Sequence, residues 1–259
     1  MSAIEKYSSQ IGEDFDKDLI HEFRLSIKSL RSLLRLSASR SNGVKARLPK
    51  KLKRLFDIAG AIRESELEKE LLIKTHINVP DYFEFLDNKI AEQKSEWTKH
   101  FSRKVMIRAR KKIKGYKYKA LNSETLNNFV SANLSSLSTL ASAPPDEKVH
   151  DVRKNLKDVL NIIKLLNVKK LGSVGLSGQP AITELQKLAE IIGNYNDKRV
   201  MLEHITAFQL HDVNDNEMAA IKQFEQTEKK KLKNEKGLLL GVVKHAASDK
   251  DQGTQPLAD

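Results

Sequence analysis

Apolar residues recur at intervals of three and four along two segments of the chain, 19–36 and 148–166. In the first segment they are Ile20, Phe23, Ile27, Leu30 and Leu34. In the second they are Val149, Val152, Leu156, Val159 and Ile163. This spacing brings the five side chains of each segment onto one side of an α-helix. It therefore predicts two long helices, each packed along a single apolar seam.

Helical signals extend over the rest of the chain, which lacks a sustained alternation of apolar and polar residues typical of strands. The 259 residues include only 11 glycines and 6 prolines. These signals and the breaks between them predict seven helices and an all-α fold. The predicted helices run from Asp14 or Asp16 to 39, from after 44 to 76, from 81 to 114, from after 124 to 141, through His150, from 181 to 210, and from 214 onward.

The chain also repeats itself beyond the two apolar seams. The segment RLFDIAGAIRESEL at 54–67 aligns with KLAEIIGNYNDKRV at 187–200. The alignment pairs Gly60 with Gly193 and Glu64 with Asp197. We therefore expect one domain built of two related helical halves, 14–142 and 143–246, followed by a disordered tail at 247–259.

A stripe of basic residues follows each seam at the next position, about 100° around the helix. The first stripe contains His21, Arg24, Lys28, Arg31 and Arg35. The second contains His150, Arg153, Lys157 and Lys164, with Leu160 interrupting it. From residue 23 to residue 56 there are eleven Lys or Arg and no Asp or Glu, so the first stripe has no acidic partner nearby in sequence. Cations that converge in this way favour a bound anion.

Composition narrows the class of partner and the compartment. The formal net charge is +12, which favours a polyanion such as nucleic acid, an anionic membrane or polyphosphate. The chain has no cysteine, so disulfides and thiolate metal sites are excluded. No apolar stretch is long enough for a signal peptide or a membrane span. We expect a cytoplasmic protein without a membrane partner.

The histidines, carboxylates and glycines in and around the stripes fit structural roles better than metal binding or catalysis. His21 and His150 have cationic or apolar residues three and four positions later, which disfavours a metal site. Glu64 and Asp197 are expected to orient neighbouring cations through salt bridges. Glycines at 60 and 193 lie inside predicted helices, and we expect close approach of neighbouring helices to compensate for their cost.

The paired His-x-x-Arg segments, together with "G-x-x-R-E" at 60–64 and "G-x-x-N-D" at 193–197, resemble the CHAD domain, the conserved histidine α-helical domain. The resemblance covers residues 14–245. It implies two antiparallel helical bundles related by a pseudo-twofold axis, with a basic central cavity that binds inorganic polyphosphate. Glu64 and Glu66 depart from the family pattern, which commonly has Asp, and Leu160 stands at a commonly basic place.

Carried over by position, the resemblance implies a set of polyphosphate-binding residues without a catalytic group, metal or cofactor. Two helices supply most of the set, and Arg54, Arg63 and Lys187 come from the second and sixth helices. The other members are His21, Arg24, Lys28, Arg31, Arg35, His150, Arg153, Lys157 and Lys164. The function that follows is non-enzymatic binding of long-chain polyphosphate, in association with polyphosphate granules.

Two other functions compete with this prediction. The run RKVMIRARKKIKGYKYK at 103–119 has nine basic residues and no acid, a composition compatible with nucleic-acid binding or with a solvated helix end. Aromatic residues make up only 6% of the chain, which counts against binding of single strands by stacking. An enzyme acting on phosphate esters or polyphosphate ranks last, because the sequence has no P-loop, metal-binding carboxylate cluster or nucleophile–base pair.

Overall fold

The computed structural model describes residues 1–39, 46–116, 122–142, 146–168, 181–208 and 215–248. Within these ranges the chain is helical and has no strand, which confirms the all-α fold. None of the helices described is both long enough and apolar enough to cross a membrane. The α-helices are α1 (Ser2–Asp14), α2 (Lys17–Ala38), α3 (Lys50–Lys74), α4 (Pro80–His100), α5 (Arg103–Lys114), α6 (Ser123–Leu134), α7 (Asp146–Leu165), α8 (Ile182–Phe208) and α9 (Asp215–Ser248).

Two elements differ from the prediction. The helix predicted over 81–114 is interrupted after His100, because Phe101 takes an extended conformation and the hydroxyl of Ser102 accepts a hydrogen bond from the backbone N–H of Val105. A serine in this role is a standard start for a new helix. The N-terminal α1 was not predicted. A 3-10 segment at Ser135–Ser142 continues α6 to the end of the helix predicted there.

The start of α2 is fixed by local chemistry. Phe15 ends α1 in the left-handed conformation, with φ of 57°. The carboxylate of Asp16 then accepts hydrogen bonds from the backbone N–H groups of Asp18 and Leu19. This confirms Asp16 as the cap, and it sets the register of the first basic stripe.

The chain divides into two compact units. Unit 1 comprises Met1–Lys119 and Ile205–Phe224, and unit 2 comprises Ala120–His204 and Glu225–Asp259. The division predicted at residues 142 and 143 concerns the sequence repeat and stays a prediction. The predicted tail lies outside the described residues except for 247 and 248, which belong to α9.

Unit 1 packs the apolar seam of α2 against α1, α3 and α4. Ile20, Phe23 and Ile27 are fully buried. The ring of Phe23 meets the buried Trp97 edge-on, with centroids 5.2 Å apart. Farther along unit 1, the carboxylate of Glu217 accepts hydrogen bonds from the first backbone N–H groups of α4. The first seam is thus a core seam, as the spacing predicted.

Unit 2 packs the seam of α7 in the same way. Val149, Val152, Leu156, Val159 and Ile163 are all buried. At the start of α7, the carboxylate of Asp146 accepts hydrogen bonds from the hydroxyl of Tyr195 at 2.8 Å and from the ammonium of Lys236 at 2.6 Å. Burial would raise the pKa of Asp146, but these two bonds together with the charges of Lys236 and Arg199 lower it. The two bonds tie α7 to α8 and α9.

Candidate anion-binding site

The basic stripe of α2 lies along the border between the core and solvent. His21 is exposed, whereas Arg24, Lys28, Arg31 and Arg35 are half-buried. This is the position expected for residues one step from the seam, about 100° away. The long side chains can cover apolar surface while their charged ends reach water.

Arg24 crosses from α2 to α3 and is only 14% exposed. Its Nη1 donates a hydrogen bond to the backbone carbonyl of Phe56 at 3.2 Å. Its Nη2 lies 3.5 Å from Oε1 of Glu64, which confirms the predicted salt bridge. A Cβ on Gly60 would collide with Nη1 of Arg24. Gly60 therefore makes room for a guanidinium group, a more specific role than the helix–helix approach predicted for it.

The ring of Phe56 carries two guanidinium groups. The Cζ of Arg24 lies 4.9 Å from the ring centroid and that of Arg31 lies 5.3 Å from it. The ring itself is only 8% exposed. Cation–π contacts at such distances hold a guanidinium in place without neutralising its charge. Phe56 therefore places two cations of the stripe, with Lys28 lying between them in sequence.

In unit 2, Arg153 repeats part of this arrangement. Its Nη2 donates a hydrogen bond to Asp197 at 3.1 Å, which confirms the second predicted salt bridge. Its Nε is buried and has no hydrogen-bond partner among the described residues. The same Nε would lie 4.0 Å from a Cβ on Gly193, an ordinary van der Waals distance. Arg153 is thus held less tightly against its glycine than Arg24 is.

The second stripe is an electropositive surface in its own right. Lys157 reaches solvent, yet desolvation by the surrounding protein and then the charge of Arg153 lower its pKa, against the opposing effect of Asp197 and Glu190. The exposed His150 places Nδ1 at 3.4 Å from Oδ1 of the buried Asn196. Lys164 is exposed farther along α7. Arg153 thus disfavours the charged form of Lys157, and an anion bound beside the two residues would favour it.

The three candidate residues outside the stripes have varied surroundings. Arg54 donates a hydrogen bond to Glu96 of α4 at 3.0 Å, which directs its side chain toward α4. Arg63 is half-buried, and its charge acts on the carboxyl groups of Glu66 and Glu70. Lys187 is exposed on α8.

The residue that the sequence analysis missed is Phe56. It lies in the aligned segment, and its counterpart in the second copy is Ala189. An aromatic residue in an otherwise acid-free basic stretch is the only signal that could have found it. That signal alone does not distinguish a cation–π platform from an ordinary core position.

The family model described as "CHAD domain" matches residues 1–206, which include both basic stripes and both Arg–carboxylate pairs. No curated protein matches the chain.

Proposed function

Because this chain belongs to the CHAD-domain family, which is known for binding polyphosphate, we propose that it binds inorganic polyphosphate through the basic stripes of α2 and α7. The binding is non-enzymatic and needs no cofactor. The ligand is a long-chain polyanion, and the protein acts in the cytoplasm in association with polyphosphate granules.

The observation that carries this proposal is the arrangement of guanidinium groups over the ring of Phe56. Oε1 of Glu64 lies 3.5 Å from Nη2 of Arg24, so this ion pair is long. The ring faces Arg24 and Arg31 without supplying an anion. Guanidinium charge that is held in a fixed position is what a binding site for phosphate oxygens requires.

The length of each stripe suits a polymer better than a single phosphate. From His21 to Arg35 the helix rises about 21 Å, with a cation on nearly every turn. A polyphosphate chain has a negative charge on every unit, so its oxygens can meet these cations one after another. A small ligand such as ATP would engage only part of the stripe.

The carboxylates nearest the stripes support binding without turnover. Glu64 and Asp197 face Arg24 and Arg153, and a carboxylate that orients a cation is poorly placed to act as a base. We therefore expect no release of phosphate from polyphosphate or nucleoside triphosphates in the presence of Mg²⁺ or Mn²⁺. Phosphate release that copurifies with the protein through several columns would contradict this part of the proposal.

The main test is a competition experiment on the purified protein. Labelled long-chain polyphosphate is bound at about 150 mM salt, where weak surface binding is screened, and is then displaced by unlabelled polyphosphate, DNA, RNA or ATP. We expect unlabelled polyphosphate to displace the label at the lowest concentration. Displacement by DNA or RNA at lower concentrations than polyphosphate would overturn the proposal.

A further inference from the structure

The most basic helix of unit 1 is α5, which the proposed polyphosphate site does not use. Its exposed cations form what we call the α5 surface: Arg103, Lys104, Arg108, Arg110, Lys111, Lys112 and Lys114. Arg110 pairs with Glu5 of α1, and no acidic residue occurs anywhere from 97 to 116. From these features we propose that the α5 surface binds the phosphate backbone of duplex DNA without sequence specificity.

The apolar side of α5 is already occupied. Val105, Met106, Ala109 and Ile113 are buried in the core of unit 1. Ile107, at 41% exposed, is the one large apolar side chain that α5 presents to solvent among the described residues. A helix that inserts into a lipid surface needs a free apolar side. The exposed side of α5 instead fits a partner that is recognised by charge.

The cations cover both flanks of the exposed side. At about 100° per residue, Arg103 and Lys114 lie on one flank, and Arg108 and Lys112 lie about 120–180° away on the other. Along its axis α5 is about 18 Å long. The major groove of DNA, about 12 Å wide, admits an α-helix between its two phosphate strands. Cations on two flanks can meet both strands at the mouth of the groove, whereas a single polyphosphate chain follows only one row.

A second acid-free stretch joins the α5 surface. The hydroxyl of Tyr116, just after α5, donates a hydrogen bond to the backbone carbonyl of Arg47 at 2.6 Å. Arg47, Lys50 and Lys51 are exposed at the start of α3, and residues 46–56 include no Asp or Glu. The α5 surface therefore continues onto α3 and lengthens the basic area available to a backbone.

The test measures binding of a fluorescent duplex of about 20 base pairs at about 150 mM salt by anisotropy. The test variant combines Lys104→Gln, Arg108→Gln and Lys111→Gln. The charge-matched control combines Lys222→Gln, Lys230→Gln and Lys233→Gln, which are exposed lysines of α9. We expect the α5 variant to lose at least 10-fold in DNA affinity, with a salt slope shallower by about 2 to 3. The control should change by less than about twofold.

Each other outcome contradicts the proposal in its own way. Equal DNA affinity in the α5 variant and the wild type would place DNA binding elsewhere or nowhere. A parallel loss of polyphosphate affinity would make α5 an extension of the polyphosphate site. Tighter binding to anionic vesicles than to DNA, removed by the same variant, would make it a membrane surface. DNA and polyphosphate are measured separately. A negative result for DNA would therefore not contradict the proposed function, which is tested by its own polyphosphate assay.

Discussion

The two basic stripes share one arrangement of arginine, glycine and carboxylate, and they differ in how firmly the arginine is held. In both, an arginine of a His-x-x-Arg segment reaches the glycine of the next repeat segment and meets a carboxylate one turn later. In unit 1 the guanidinium is also held by a backbone carbonyl and an aromatic ring. In unit 2 the ring is replaced by Ala189, and Arg31 is replaced by Leu160.

If both stripes bind polyphosphate as proposed, this difference predicts that they contribute to binding in different ways. The first stripe is preorganised, because Arg24 and Arg31 already occupy fixed positions before a ligand arrives. Preorganised groups lose little conformational entropy on binding. The charge of the second stripe should depend more on pH and on a bound anion, because the pKa of Lys157 is lowered in the free protein. We expect the first to supply more of the affinity and the second to supply more of its dependence on pH.

The largest effect should come from removing the charges of the first stripe. Lys28→Gln, Arg31→Gln and Arg35→Gln together remove three charge-assisted contacts, at about 1 kcal/mol net each, so polyphosphate affinity should fall about 100-fold. Lys157→Gln with Lys164→Gln removes two and should cost about 30-fold. Binding is measured with labelled polyphosphate.

The control for this comparison is the triple variant of Lys222, Lys230 and Lys233, which alters the same net charge far along the chain. We expect it to change affinity by less than about twofold, as screened surface charges do. If it weakens binding as much as the stripe variant does, net charge rather than the stripe holds the polymer. If only the second-stripe variant weakens binding, the ranking of the two stripes is wrong.

Phe56→Leu should produce the next largest effect, on unit 1 alone. Losing two cation–π contacts of about 0.5–1 kcal/mol each predicts a loss of roughly 10-fold in affinity. The number of cations is unchanged, so the slope of log affinity against log salt should stay the same. Leucine is smaller than phenylalanine but keeps most of the apolar contact, so we expect a stability cost of about 1 to 2 kcal/mol. An affinity unchanged by this substitution would reduce Phe56 to an ordinary core residue.

Substituting the two glycines should give smaller effects, which are weaker binding at Gly60 and higher stability at Gly193. Gly60→Ala displaces the guanidinium of Arg24, so binding should weaken about three- to fivefold, and the helix propensity gained should be offset by the lost hydrogen bond. Gly193→Ala meets only an ordinary contact and should stabilise unit 2 by up to about 1 kcal/mol. Thermal melts and polyphosphate titrations check both. A rise in melting temperature for Gly60→Ala with full binding would show that Arg24 need not occupy this place.

Features set by residues close together in the sequence could be predicted, whereas features set by contacts between helices could not. Seams, caps and stripes are local patterns. Spacing therefore predicted Phe23 as a core residue and the position of the α2 and α7 cations beside the seams, and Asp16 was one of the two caps that the sequence offered for α2. The break at Phe101 was missed because Ser102 is a weak signal inside a strongly basic helical run. Arg24 was taken as a cation beside the seam, and its burial was not predicted. That burial depends on contacts of Arg24 with Phe56 and Gly60 on the neighbouring helix α3. The spacing of residues in the sequence does not reveal contacts between helices.

The last and smallest effect is the pH dependence contributed by Lys157. Its pKa is lowered in the free protein by desolvation and by Arg153, and an adjacent polyanion would raise it again. If polyphosphate binds beside Lys157, we expect binding to take up protons at pH values between the free and the bound pKa of this lysine. Affinity should therefore fall as pH rises from neutral toward about 9.5, below the ordinary pKa of lysine.

Lys157→Arg isolates that effect, because a guanidinium remains charged throughout this range. Between pH 7 and about 9.5, wild-type affinity should fall about two- to threefold more than that of the arginine variant, a small difference because Lys157 reaches solvent and its charge is partly screened. Calorimetry in two buffers of different ionisation enthalpy should show proton uptake for the wild type and less for the variant. Identical pH profiles and identical proton uptake would mean that Lys157 does not approach the bound polymer. The second stripe would then act through His150, Arg153 and Lys164, and Lys157 would not make its affinity depend on pH.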